Sequence, residues 1–374
     1  MKQEIKISFA LMITLVMLFQ NSNAQDDILF RRHLINSGIN GLFYGGAINA
    51  IAEADGGAAA GIPIISAGTC VLIPLLTNAS KTITPNSMIL SAHGKLIGWV
   101  HGFALATLIG GEKAWDDNGY KLTLGLGVAT SISLGILGNS LGKNSTWTEG
   151  QVAMYRHYGW TMPFTGVLVM AAFSDEPRLI GATDLIFGAG SYFLADKVYK
   201  NYQYTRGDVR AIQVLTVLNG GLGAGILADK ADRGNESRSD LLFPAIGVLS
   251  GTLLGQAWLK NVNLTAKQGM QTAYATTGGA IFGFGIALLT GSDNITPYYV
   301  IPYITGLGAY TIVVESMRMK NKTQGFIPKH QKNNWEIAFM PQNMFLNSKI
   351  SNNGYLLNGR ITGMQPLFAA SLKF

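Results

Sequence analysis

Five times along the 374-residue chain a hydrophobic run ends in a small polar mark, and the mark returns about every 60 residues, as in stacked helical arrays. The marks are Thr77-Asn78, Lys143-Asn144, Lys200-Asn201, Lys260-Asn261 and Lys320-Asn321. A threonine follows each a few residues later: Thr84, Thr148, Thr205, Thr265 and Thr323. The pattern reads as one helix stopping and the next starting. A lysine in the last turn suits the negative end of a helix, and Asn tolerates the left-handed residue that closes it. The threonines read as N-caps. Thr148-Glu149-Gly150-Gln151 and Thr265-Ala266-Lys267-Gln268 have capping-box form, Thr205-Arg206-Gly207-Asp208 comes close, and Pro85 takes the favoured first helical position after Thr84.

Between the marks lie pairs of apolar segments, here called A and B. The A segments start near Phe30, Ser87, Gln151, Asp208 and Gln268, and the B segments near Gly57, Lys121, Arg178, Asp240 and Tyr299. The runs are too long for strands and lack strict alternation. The expected fold is an all-α repeat array over residues 25–323, with about ten Gly-rich apolar helices in five αα-hairpins.

Glycine inside a helix costs stability, so 46 glycines in such a chain need a reason. Spacing supplies one. Gly94, Gly98 and Gly102 fall four apart, as do Gly247, Gly251 and Gly255; Gly41 with Gly45, Gly138 with Gly142, Gly221 with Gly225 and Gly279 with Gly283 repeat the theme. Small residues four apart let a second backbone approach closely, a packing mode typical of helices in lipid.

Charged residues make up only 13% of the chain, about half the usual share for a soluble domain. The run Leu122 to Leu141 carries no charge at all. A helix apolar on every face belongs in a large core or a membrane, and ten such helices cannot all be central. The expected environment, and the first expected partner, is therefore a lipid membrane. The formal charge of +7 does not argue for nucleic acid, because the basic residues are spread along loop edges without clusters. A-to-B turns lean acidic (Glu53, Asp55, Asp116, Asp175, Asp240) and B-to-A turns are basic (Lys81, Lys143, Lys200, Arg206, Lys260), so the array has an acidic edge and a basic edge.

Residues 1–24 read as a signal peptide, with Lys2 and Lys6, an apolar stretch from Ile7 to Phe19, and Ser22-Asn23-Ala24 before Gln25. A cleaved signal would put every basic turn outside the cytoplasm, against the usual bias of inner-membrane proteins. That conflict favours an exported protein of the bacterial envelope, outer membrane or periplasm over inner membrane. Residues 324–374 change period: Trp335, Ile337 and Phe339 alternate, and a turn at Asn353-Gly354 leads to Phe368, Ala370, Leu372 and Phe374. A final alternating strand ending in Phe resembles the C-terminal signal of outer-membrane β-barrel proteins. So short a segment cannot close a barrel, which needs about eight strands. It reads as a β-hairpin or small antiparallel sheet capping the array, and as a place where other envelope proteins dock.

The chemistry is sparse. His93, Lys95 and His101 lie along one A segment, Arg156 and His157 in the next, Arg210 in the one after, and Asp184 inside an apolar B segment. Ionisable groups at membrane depth are functional suspects, so these seven residues form a candidate polar seam. Asn219-Gly220-Gly221-Leu222-Gly223 lacks the preceding strand and the Lys of a phosphate loop. No nucleophile elbow or paired cysteine occurs, and Cys70 sits alone in an apolar run. No cofactor, metal or catalytic residue is expected. The leading reading is a non-enzymatic scaffold or assembly protein, with a homo-oligomer allowed; the alternative is a polytopic transporter or channel whose A helices line a polar path.

Overall fold

The computed structural model describes residues 25–77, 83–117, 119–324, 334–339 and 368–373. The signal-peptide segment, Asn78 and the Asn353-Gly354 turn lie outside the described residues. Ten long helices follow in order: α1 Gln25–Ala52, α2 Gly56–Leu76, α3 Pro85–Gly110, α4 Gly119–Asn144, α5 Glu149–Phe173, α6 Pro177–Tyr202, α7 Arg206–Asp232, α8 Leu242–Leu259, α9 Ala266–Leu289 and α10 Thr296–Gln324. Short 3-10 turns precede α4 (Gly111–Trp115) and α8 (Arg238–Leu241). The odd-numbered helices are the A segments and the even-numbered ones the B segments.

Local chemistry explains the boundaries. Thr84, Thr148, Thr205 and Thr265 each accept the backbone N–H three residues on, at 3.1–3.2 Å. The reciprocal half of the capping box forms at Ser87, Asp208 and Gln268. It does not form at Gln151, whose amide turns instead to the Tyr155 hydroxyl and Asp196, at 3.1 and 3.3 Å. The fifth mark also behaves differently. Lys320-Asn321 does not end a helix, and Thr323 lies inside α10 rather than capping a sixth helix. The left-handed closing residue is Asn261 at the fourth mark, but at the third it is Gln203, because α6 runs on to Tyr202.

Each A helix pairs with its own B helix and also packs against the B helix of the following hairpin: α1 on α4, α3 on α6, and α5 on α8. Tyr299 and Tyr303 of α10 likewise reach α7 at Gly225 and Asn219. Successive A helices touch one another as well, so the A helices form an inner row with B helices outside. Inside hairpins, glycine permits the contact. A Cβ on Gly98 would fall 2.5 Å from Ser131 Cα, and one on Gly251 2.6 Å from Thr216 Cα. Gly94, Gly102, Gly247 and Gly255 face α4 and α7 backbone or side chains in the same way. Gly221, by contrast, faces open space; Gly220 and Gly223 make the approach to α8.

Ion pairs at the loop edges link hairpin to hairpin. Lys121 reaches back to Glu53, and Arg238 reaches Asp175 at 3.2 Å. Their hydrogen bonds hold the Glu53 and Asp175 carboxyls below the ordinary range. At the opposite edge Arg206 of α7 meets Glu149 of α5 at 3.0 Å.

Six helices are long and apolar enough to cross a membrane: α2, α4, α7, α8 with its preceding turn, α9 and α10. The other four are the helices that carry Arg31, Arg32 and His33 (α1), His93, Lys95 and His101 (α3), Arg156 and His157 (α5), and Asp184 (α6). The chain still reads as a membrane-associated protein. By contact the residues divide into two units, Met1–Arg318 and Met319–Phe374. In the second, β1 (Asn334–Phe339) and β2 (Phe368–Lys373) pair antiparallel, with Trp335 opposite Leu372 and Phe339 opposite Phe368.

Candidate functional site

Each junction between successive hairpins places a polar side chain of the inner row against one from the next B helix. At the first junction the Tyr44 hydroxyl of α1 lies 2.9 Å from the Ser131 hydroxyl of α4. Ser131 donates to the Lys95 carbonyl, and the Lys95 ammonium donates to Ser37 of α1 at 3.3 Å. Lys95 therefore faces α1 and α4, away from the histidines of its own helix.

The second junction holds the tightest pair. His101 Nδ1 of α3 lies 2.6 Å from Asp184 Oδ2 of α6, with the Asp184 side chain only 2% exposed. Two turns along, His93 Nε2 meets the Tyr192 hydroxyl at 3.3 Å. Both imidazoles need space that glycine leaves. A Cβ on Gly188 would fall 2.5 Å from His101 Cε1, and one on Gly159 2.5 Å from His93 Nε2. Asp184 Oδ1 and His93 Nδ1 are buried with no hydrogen-bond partner. The same face of α6 continues at four-residue spacing through Tyr192 and Asp196 to Lys200. Asp196 accepts from Tyr155 of α5 at 3.1 Å and pairs with Lys200 at 2.6 Å.

At the third junction His157 Nε2 of α5 lies 3.3 Å from the Thr252 hydroxyl of α8, which lies 3.1 Å from the Thr216 hydroxyl. The neighbouring Tyr158 hydroxyl accepts from the Gln256 amide at 2.5 Å. At the fourth, Tyr303 of α10 donates to the Asn219 side-chain carbonyl of α7 at 3.3 Å. A hydrogen bond between helices contributes on average about 0.6 kcal/mol in a membrane setting, so these pairs act more as register marks than as large sources of stability.

The seven seam residues thus part company. His93, His101 and Asp184 share one interface, Lys95 belongs to the junction before it, and His157 to the one after. Arg156 and Arg210 belong to a second grouping. Arg156 on α5 lies within electrostatic reach of Arg206 and Arg210 on α7 and of His93 on α3. Arg210 in turn is in reach of Arg32 on α1 and Tyr274 on α9. All five inner helices therefore contribute to one shared field. Among the described residues Arg156 forms no ion pair or hydrogen bond, while Arg206 is held by Glu149.

Ser131, Tyr192, Thr252 and Tyr303 escaped the sequence reading, which followed polar residues along the A helices and took only Asp184 from the B helices. The signal was present: Ser131, Tyr192 and Thr252 recur about every 60 residues, at the period of the repeat itself. Among the described residues no three His, Cys, Asp or Glu side chains gather as a metal site. Two open clefts lie away from the seam, one lined by Ala228, Glu236 and Arg238 and the other by Asn86, Lys143 and Trp147. No protein-family model matches this chain, and neither a curated protein nor a solved structure matches it.

Proposed function

We propose that the chain is a non-enzymatic, membrane-embedded scaffold of the bacterial cell envelope, exported and held at the outer membrane or periplasm. One observation carries this reading: all four hairpin junctions use the same device, a polar side chain of the inner row bonded to the next B helix. Four of the seven seam residues, Lys95, His101, Asp184 and His157, are occupied in holding repeats together rather than lining an open path. The C-terminal β segment is its docking surface for other envelope proteins, and its outward apolar B helices serve lipid or a second copy of the chain. The convergence of Arg156, Arg206 and Arg210 favours the transport reading as the second choice.

Two measurements decide between them. Fractionation with detergent extraction, followed by N-terminal sequencing, is expected to find a chain starting at Gln25 in the outer-membrane fraction. Proteoliposomes carrying the purified protein are expected to pass ions no faster than empty vesicles. Flux well above that background, abolished by His101→Ala or Arg210→Gln, overturns the scaffold reading.

A further inference from the structure

The inner row carries a feature that joining repeats does not require. Arg156 lies two turns inside α5, about 12 Å from its N-cap Thr148 at 1.5 Å rise per residue. It is half-buried and without a carboxylate or hydrogen-bond partner among the described residues. The nearby charges acting on it are the cations Arg206 and Arg210. Like charges brought together away from bulk water repel, and a guanidinium left unbonded there loses solvation that no hydrogen bond replaces. Arg32 of α1, three hairpins earlier in the chain, acts in turn on Arg210. His93, 4% exposed, adds a ring nitrogen with no partner.

We infer that the inner row binds a phosphate group between α3, α5 and α7, with Arg156 as its principal ligand and Arg210, Arg206 and His93 beside it. Guanidinium groups brought near one another by neighbouring helices suit a tetrahedral, multiply charged oxyanion better than a halide or a single carboxylate. The phosphate comes either from a lipid headgroup seated at the basic edge or from a free phosphate in the adjoining compartment. This inference goes beyond the scaffold reading and does not depend on it, since a scaffold and a transporter would both hold such a group.

The test uses the full chain purified in a neutral detergent, with thermal unfolding followed under two titrations. One adds inorganic phosphate against sodium chloride of equal ionic strength. The other adds phosphatidylglycerol against diacylglycerol, which has the tails without the phosphate. One of the two phosphate-bearing additions is expected to raise the melting temperature above its control and so to identify the source. Arg156→Gln and Arg210→Gln are each expected to weaken that response about tenfold or more, as loss of a charged hydrogen bond does. Arg178→Gln, at the far edge, is expected to leave it intact. In phosphate-free detergent Arg156→Gln is expected to melt no lower than the parent, because it relieves repulsion. Arg156→Lys, which keeps the charge without the fork, is a second variant, and its response is expected to fall between parent and loss. The inference is overturned if neither addition exceeds its control, or if the variants respond as the parent does. A clear loss of stability in phosphate-free Arg156→Gln overturns it too, since the guanidinium would then be held by a group within the chain.

Discussion

The inner and outer helices are built from different materials for one structural reason. Helix α3 buries eleven of its 26 residues and α5 twelve of 25, against six of 26 in each of α4 and α6. The buried inner positions combine large apolar side chains such as Ile97, Val152, Met154 and Ile212 with small or polar ones, Ser87, Ser91, His93, Thr107, His157, Thr161 and Thr165. The outer helices bury small residues and carry their large apolar side chains outward. Helix α6 turns Ile186, Phe187, Phe193 and Leu194 outward, and α4 turns out Ile132, Ile136, Leu137 and Leu141. A water-soluble bundle would not leave so many large apolar side chains on its outside. Here α3, α5 and α7 are each flanked by two B helices and two A neighbours, so glycine-mediated close approach and hydrogen bonding add to apolar packing there, while the outside is left to match lipid. The last inner helix, α9, tests the rule. With no sixth hairpin beyond it, it exposes Ile281, Phe282, Phe284 and Leu289 as an outer helix does.

The sharpest way to break this contrast is at Ile97, 1% exposed in the inner row. Ile97→Ala is expected to cost about 3 kcal/mol in unfolding free energy, within the usual range for a buried aliphatic deletion, measured by denaturant titration in detergent. A cost below about 1 kcal/mol would mean that α3 is not a packed interior element. A smaller loss is expected from Asp208→Ala. That carboxylate accepts the Thr205 N–H at 2.9 Å, closing the α7 cap, and the Leu264 N–H at 2.8 Å, tying on the next loop. Losing both should cost about 2 kcal/mol, and hydrogen exchange at the start of α9 should rise with it. A variant that exchanges faster at α7 alone would show that the cap does not link hairpins. Least of all is expected from Ile186→Ser, 67% exposed on α6. Its stability in detergent should stay within about 0.5 kcal/mol of the parent. A loss as large as that at Ile97 would place α6 inside an oligomer rather than against lipid.

Much of this architecture was legible beforehand. The Thr-to-N3 spacing marked four of the five inner-helix starts, because capping is a contact between residues three apart in the chain. Its two failures come from competition that spacing does not register. Gln151 turned to Tyr155 and Asp196, and Asn321 was overrun by a helix that continues to Gln324. The seam was legible only in half. His93, His101, His157 and Arg210 stood out as polar residues in apolar runs, yet their partners lie 83 to 99 residues away along the chain wherever a hydrogen bond identifies one.

By itself, then, the sequence determined the period, the polarity of the two edges and the apolar character of the outer helices, all set by composition and by interactions within a few residues. Only the tertiary structure decided that each inner helix bonds to the following hairpin's B helix, that Lys95 turns away from His93 and His101, and that arginines from α1, α5 and α7 share one field. The physical reason is the way the hairpins stack. Pairing within a hairpin is dictated by a short loop, whereas the offset by which one hairpin leans on the next depends on which glycines and polar side chains of two distant helices fit together.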